Sequence, residues 1–368
     1  MTCDSCDTCL RRALLIAHLA PRIAGLLGRG DRRTRGLLGL PEHDLIAAAA
    51  GRQVEQALAF LDALDVAGER DRLAEAGFVA ACAHSARYPP LLRDLSDPPA
   101  VLFGAGRGET LELLVEEPVV TVVGTRRASP YGTEVAYALG RGLGASGVPV
   151  VSGLALGIDG TAHRGCLDGG GVPVAVVAGG PDVVYPRRHR SLRERVCDSG
   201  LVLSELPPGT EPYRWSFPAR NRIMAGLARM TLVVEAADPS GSLITAEFAR
   251  DLGRCVAAVP GRITSSVARG TNNLLRDGAT PISATEDVLD ELFGVGMRRA
   301  PEDASVPREP GDPLLRAVLD AAGTHDSVEQ VARATGHTVA ETRAALGRLE
   351  ADGHLVRRDL GGWERAAR

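Results

Sequence analysis

WSFPARNRIMAGLARMTLVVEAADPSGSLITAEFA, residues 215–249, decides how this chain is read. Its spacing predicts a helix over 218–229, with Pro218 in the first turn, where a missing N–H costs nothing. Residues 231–236 form a short valine-rich apolar run, the pattern of a strand covered on both faces. Asp238-Pro239-Ser240-Gly241-Ser242 is small and polar and opens a second helix at Leu243. A strand that ends in such a loop and feeds a helix presents free backbone N–H groups at the helix's positive end, where an anion is favoured. Just upstream, Arg220 and Arg222 flank Asn221. Two cations, an amide and an anion cradle in one stretch point to a phosphate-bearing ligand.

Working outward, 119–123, 149–152, 174–178, 201–205, 231–235 and 255–259 read as short buried strands with helical segments between them. That alternation predicts an α/β fold with a Rossmann-like, doubly wound, mostly parallel sheet over residues 86–292. Ligands of such sheets bind outside the carboxyl ends of the strands, so the loops there are read together. The first strand is followed by Gly124-Thr125-Arg126-Arg127-Ala128-Ser129, and the second by Ser152-Gly153-Leu154-Ala155-Leu156-Gly157-Ile158-Asp159. Later loops bring Tyr185-Pro186-Arg187-Arg188, then Ser240-Gly241-Ser242, then Pro260-Gly261 with Arg269-Gly270-Thr271-Asn272-Asn273 close behind. Small residues, hydroxyls and arginines recur at one rim, which suits a phosphate backbone running across it. Gly142-Leu143-Gly144-Ala145-Ser146-Gly147 matches GxGxxG on paper. It follows a helix and precedes a strand, the reverse of the dinucleotide-binding context, and reads as a glycine-rich helix end.

At 368 residues the chain has room for two or three domains, and its composition (45% hydrophobic, 24% charged, net charge −4) is that of an ordinary folded protein. Every one of the 42 basic residues is arginine. A Walker P-loop, a pyridoxal-phosphate Schiff base and a lysine general base are therefore excluded, and no cofactor is expected. The slight acidic balance does not advertise a nucleic-acid binder, but a local basic groove matters more than the sum. No stretch approaches the roughly 20 apolar residues of a membrane span, and the start of the chain does not read as a secretory signal. Scattered Cys82, Cys166, Cys197 and Cys255 suit a reducing cytoplasm.

Residues 1–85 are rich in Ala, Leu and Arg at helical spacing and read as a small helical domain with a Cys-rich tail. Cys3, Cys6 and Cys9 form CxxCxxC, and three thiolates would need a fourth ligand, for which His18 is the candidate. With no second CxxC, the tail reads as frayed or redox-sensitive rather than as a metal centre. Residues 293–311 read as a proline-punctuated linker. Over 312–368 three helices, with Ser327 and Thr338 as N-caps, precede a strand-turn-strand at 355–363, the pattern of a winged helix-turn-helix. Arginines and carboxylates nearly balance there, so DNA and protein are equally open as its partner.

The rim motifs resemble those of the DNA-processing protein A (DprA, or Smf) family over about 88–292. GTRRASPYG, SGLALGID with Thr161-Ala162-His163, the Tyr185-Pro186 turn, FPARNRI, SGSLITA, AVPG and GTNNLL occur in order. The family usually has Gly-Ser-Arg where this chain has Gly-Thr-Arg. The resemblance implies a protein that binds single-stranded DNA, self-associates as a dimer and helps load RecA recombinase, chiefly in natural transformation. Carried onto this sequence, it makes Arg126, Ser152, Gly153, Phe217, Arg220, Asn221, Arg222, Ser240, Gly241, Ser242, Thr245, Arg187 and Arg188 the candidate DNA and phosphate contacts. Gly124, Gly157, Asp159 and Asn272 are expected to shape the loops, Asp159 by capping the helix that follows it. Phe217 could stack on a base or simply pack the helix entry. For self-association, apolar helix surface near Leu274–Leu275 or Leu289–Leu292 is the candidate.

No nucleophile is spaced to work with Asp159 and His163, so no catalytic role is expected. The competing reading is a Rossmann-type nucleoside-monophosphate phosphoribohydrolase using Glu247, in which 240–247 echoes a Pro-Gly-Gly-x-Gly-Thr-x-x-Glu loop. The missing glycines and the presence of FPARNRI weigh against it. A third reading is a transcriptional regulator that binds DNA through 312–368 alone.

Overall fold

Alternate residues of the central strands face opposite ways, and each face carries its own helices. The computed structural model describes residues 3–26, 36–298, 312–325, 327–351, 354–357 and 362–365. They fall into two compact units, divided at Ala300.

The first unit begins with β1 (Cys3–Asp4), α1 (Asp7–Leu26), α2 (Glu42–Ala50), α3 (Val54–Asp62), α4 (Val66–Glu75) and β2 (Val79–Cys82). It continues through β3 (Val101–Gly106), α5 (Thr110–Glu116), β4 (Val120–Val123), α6 (Pro130–Ala145), β5 (Val150–Ser152), α7 (Ile158–Asp168) and β6 (Pro173–Val176). Next come α8 (Arg190–Ser199), β7 (Leu201–Ser204), α9 (Ser216–Leu227), β8 (Met230–Val233), α10 (Gly241–Asp251), β9 (Cys255–Ala258), α11 (Arg269–Arg276), β10 (Thr280–Pro281) and α12 (Thr285–Phe293). The ten strands make one sheet, ordered β1-β2-β3-β7-β6-β5-β4-β8-β9-β10. Pairing is parallel from β7 through to β10, and β3 is antiparallel to both its neighbours.

All six expected strands are present. From β4 the chain builds outward through β5, β6 and β7, then returns so that β8 lies on the other side of β4. That reversal puts a topological switch point between β4 and β8, the place where open α/β sheets leave a crevice at the carboxyl ends of their strands.

Val123, Val151, Val176 and Val233 pack beneath α9 and α10 on one face, while Val122, Val150 and Leu232 pack beneath α6, α7 and α12 on the other. Fully burying each such side chain contributes roughly 1.5–3 kcal/mol. Of the misleading GxGxxG, Gly144 serves the α6–α7 contact, as does Gly140 just before the motif, while Gly142 lies against Thr285 of α12. A Cβ at Gly140 or Gly144 would come within 2.4 or 2.6 Å of the carbonyls of Ala162 or Cys166. Glycine there lets two helix backbones touch.

The N-terminal helices are not a separate domain. Leu15, Leu19, Leu45, Ala57 and Leu61 share one core with Trp215 and Ala219 of the site region, and Trp215 Nε1 donates to Ala20 O at 3.0 Å. Strands β1 and β2, unexpected in a segment read as wholly helical, extend the sheet edge. Leu274 and Leu289, the candidate self-association surface, lie in the sheet cores.

The second unit holds α13 (Pro313–Ala322), α14 (Val328–Thr335) and α15 (Val339–Ala351), then the antiparallel pair β11 (Leu355–Arg357) and β12 (Trp363–Arg365). Leu315, Val318, Val331, Leu346, Leu349, Leu355 and Trp363 form its core. Ser327 Oγ accepts from Gln330 N at 3.3 Å, and Thr338 and Glu341 cap each other reciprocally. Of the expected linker, residues 299–311 lie outside the described residues, as does the turn at 358–361.

Candidate nucleic-acid interface

A groove of about 1060 Å³ opens at the β4/β8 switch point, walled by the loops after those strands and by the start of α9. Gly124, Thr125 and Arg126 come from the β4 loop, and Ser240, Gly241, Ser242 and Thr245 from the entry to α10. Phe217, Arg220 and Asn221 line it from α9, and Tyr185 and Arg214 from loops. Its charged lining is Arg126, Arg214 and Arg220 against one carboxylate, Asp159.

The β4 loop is held from below. Thr125 N donates to Glu235 O at 2.7 Å, and Ile158 N donates to Thr125 O at 3.2 Å. The buried Glu235 carboxylate accepts from Ser129 N at 2.8 Å and Ser129 Oγ at 2.7 Å. Gly157, at φ +77°, lets its backbone lie against Thr125 O, where a Cβ would stand at 2.3 Å. Gly124 is pressed between Ile158 and Glu235 O in the same way. So anchored, exposed Arg126 places its guanidinium 5.4 Å from the centre of the Phe217 ring. Phe217 in turn meets Tyr185 edge to face, with ring centres 5.4 Å apart. Sequence reading missed Tyr185, Arg214 and Glu235 as site residues. Tyr185 could have been found as the aromatic in a rim loop, whereas Glu235 reads only as a strand end.

The α10 end of the groove is a capped helix N-terminus. Ser240 Oγ accepts from Ser242 N, and Asn221 Nδ2 donates to Gly241 O at 3.2 Å, tying α9 to this loop. A Cβ on Gly241 would meet open space, so its backbone is approachable from the groove. Thr245 Oγ1 is buried beside it without a hydrogen-bond partner.

Several expected contacts are engaged elsewhere. Arg222 is 2% exposed, with Nη2 donating to Glu205 Oε1 at 2.6 Å and Nε 3.1 Å from Asp97 Oδ1. Burial alone would lower its pKa, but the two carboxylates outweigh it and hold the guanidinium above the ordinary arginine value. Arg222 is thus a core ion pair, not a rim cation, because α9 is packed on the sheet side and the α1 side at once. Arg220 is also buried, and its Nη1 donates to Gly153 O and, at 2.6 Å, to Val176 O. Burial pulls its pKa down to about 10, which still leaves it charged at neutral pH. It reaches the groove but acts first as a clamp on the β5 loop.

Gly153 is buried against that guanidinium, and Ser152 spends its hydroxyl on Val122 O at 2.6 Å. Neither lines the main groove at the switch point. Asp159 does not cap α7, whose N-cap is Gly157. It sits in the first turn, hydrogen-bonded by backbone of Ala155 and Gly124, with Arg220 Nη2 at 3.9 Å. Burial raises its pKa against the pull of Arg220. Asn272 brackets Gly261, accepting from its N at 3.1 Å and donating to its O at 3.0 Å. Arg187 and Arg188 are exposed on a turn beyond Tyr185 and do not line the groove. His163 is buried away from the groove lining, and Glu247 is not part of that lining either. His18, considered as a metal ligand, instead stacks on Phe60 with ring centres 4.1 Å apart. The side chain of Cys3 lies outside the described residues.

The family model described as DNA recombination-mediator protein A matches residues 80–293. A DNA processing protein DprA of Mycobacterium tuberculosis is 40% identical over 283 residues, covering 75% of this chain and 70% of the relative. The DprA of Streptococcus pneumoniae is 42% identical over 205 residues, or 56% and 71% of the two chains. A crystal structure of the S. pneumoniae protein superposes with a TM-score of 0.62 at 32% identity, over 78% of this chain and 99% of that one. A structure of DNA processing protein A from Helicobacter pylori, whose subject is its single-stranded DNA binding mode, matches with a TM-score of 0.52 at 30% identity, over 58% and 95%. Motifs, sheet and relatives converge: the chain belongs to the DNA recombination-mediator protein A (DprA/Smf) family.

Proposed function

We propose that this protein binds single-stranded DNA without sequence preference along the groove at the β4/β8 switch point. The observation that carries this reading is the pairing of Arg126 with Phe217 in a groove that the α10 N-terminus around Gly241 also lines. A cation for phosphate beside an aromatic face for a base suits an unpaired strand, which offers both a phosphate and an open base, and not a duplex, whose bases are stacked inside. The single-stranded DNA binding of the H. pylori relative supports the same reading.

In this proposal Arg126 and Arg214 contact phosphate, Phe217 and Tyr185 stack, and the N–H groups of Gly241 and Ser242 bind a phosphate at the helix end. Thr245 supplies a hydroxyl from below. Arg187 and Arg188 extend the basic track past Tyr185, while Arg220 adds charge from beneath and holds the β5 loop. Asn221, Gly124, Gly157, Asp159 and Asn272 set loop shape.

Family membership supports loading of RecA recombinase on the bound strand, action as a homodimer in the cytoplasm, and a winged-helix reading of residues 312–368. No helix among the described residues is long and apolar enough to cross a membrane. The phosphoribohydrolase reading is not favoured, because Glu247 lies outside the groove lining.

Competition between labelled single-stranded and duplex oligonucleotides of one sequence tests the proposal. Preference for the single strand, at equal strength for unrelated sequences, is expected. Equal affinity for the duplex, or release of free base from a nucleoside monophosphate that Glu247→Gln abolishes, would overturn it.

A further inference from the structure

Cys6 and Cys9, a CxxC pair at the start of α1, meet Cys82 and His84 across about 75 residues of chain. The parallel pairing of β1 with β2 sets this up, since Cys3 lies opposite Ala80 and Asp4 opposite Ala81. One step on, the turn after β1 faces the turn after β2. The four ligand atoms all lie within 4.8 Å of one another. His84 Nδ1 is 3.4 Å from Cys6 Sγ and 3.5 Å from Cys9 Sγ. Zinc held by sulfur at about 2.3 Å and nitrogen at about 2.0 Å in a tetrahedron separates such atoms by about 3.5–3.8 Å. The two His84–sulfur separations match that spacing, the remaining ligand atoms are close enough to share one ion, and these thiols are free rather than bridged.

We propose that Cys6, Cys9, Cys82 and His84 hold one structural zinc ion. Four protein ligands complete the tetrahedron and leave no open position, so the site is structural rather than catalytic. Cys9 and Cys82 are buried and Cys6 and His84 exposed, so the ion sits at the protein surface, between buried and exposed ligands. Cys6 N donates to Cys82 Sγ at 3.4 Å, placing an N–H dipole on a ligand sulfur. Ser85 Oγ donates to the Asp4 carboxylate and fixes the turn beside His84. Strand β1 has two residues, too few to hold a sheet edge alone, and the metal pins it there. The ion thus ties the start of α1 to the edge of the sheet.

The test uses the full chain without a histidine tag, purified under reductant. Elemental analysis is expected to find one zinc per chain, and exchange with cobalt(II) to give the visible bands of a tetrahedral thiolate complex. His84→Cys retains the metal, whereas Cys6→Ser combined with Cys82→Ser loses it. A zinc chelator lowers the melting temperature of the unaltered protein. Metal-free protein whose melting ignores the chelator contradicts the proposal, as does zinc that survives the double substitution. A Cys6–Cys9 disulfide in freshly isolated protein contradicts it too. Should the double variant fail to fold, the cobalt spectrum of the unaltered chain decides, and absence of thiolate bands overturns the site.

Discussion

The Arg126 guanidinium lies 5.4 Å from the centre of the Phe217 ring, joining a loop after β4 to the first turn of α9. The pair offers a bound strand a charge and a flat apolar face at one spot. Phe217→Leu keeps most of the bulk that packs the helix entry but removes the ring. It should weaken single-strand binding by about 1–3 kcal/mol while leaving the thermal midpoint nearly unchanged. Fluorescence anisotropy and a thermal melt on the same variant check this, and an equal loss of stability would make Phe217 a packing residue only.

Arg222 and Arg220 are two residues apart on α9, yet Arg222 belongs to the core. Arg222→Met strands the Asp97 and Glu205 carboxylates, which are 5% and 8% exposed, without their cation. Breaking a buried pair in this way costs about 3–5 kcal/mol, read as a fall in the urea midpoint. Lost DNA affinity at unchanged stability would instead return Arg222 to the groove.

Glycine substitutions should divide by location. Gly144→Ala drives a Cβ to 2.6 Å from Cys166 O, backbone that cannot step aside, and should cost about 1–3 kcal/mol of stability. Gly241→Ala meets open space and should leave stability nearly unaltered while crowding the phosphate position. Denaturant melts and strand affinity on both variants separate the two effects.

His163 is fully buried, and burial chiefly depresses its pKa to about 3, with neighbouring His189 adding to the shift. Its folded pKa lies below the ordinary histidine value of about 6.5, so the unfolded chain binds a proton that the folded chain refuses. The resulting stability is present above pH of about 6.5 and is lost as pH falls toward 3, at up to roughly 1.4 kcal/mol per pH unit. His163→Gln should flatten the stability–pH curve across that window relative to the unaltered protein. Identical slopes in urea melts would mean that His163 takes up a proton in the folded state.

What the sequence reveals here follows from what is local. The central strands announce themselves as valine-rich runs, and Ser240-Gly241-Ser242 announces a helix entry. Strands β1, β2 and β10 do not, because two-residue strands and the small Val79-Ala80-Ala81-Cys82 carry little pattern of their own. The side of α9 that faces inward is equally hidden. A helix buried all round has no polar face to orient it, and the partners that place Arg222 in the core lie far away at Asp97 and close by at Glu205. The Cys6–Cys9 pair finds Cys82 and His84 only through the β1–β2 pairing, which spacing along the chain cannot foretell.

The central claim is most directly tested by the affinity of Arg126→Ala, Phe217→Ala and the double variant for a single-stranded oligonucleotide across a salt series, beside a duplex control. Arg126→Ala should bind more weakly, with a slope of log affinity against log salt shallower by roughly 0.7. Phe217→Ala should bind more weakly at every salt concentration with an unchanged slope. Duplex binding should remain weaker than single-strand binding throughout. A double variant that binds as tightly as the unaltered chain, with the same slope, would contradict the account.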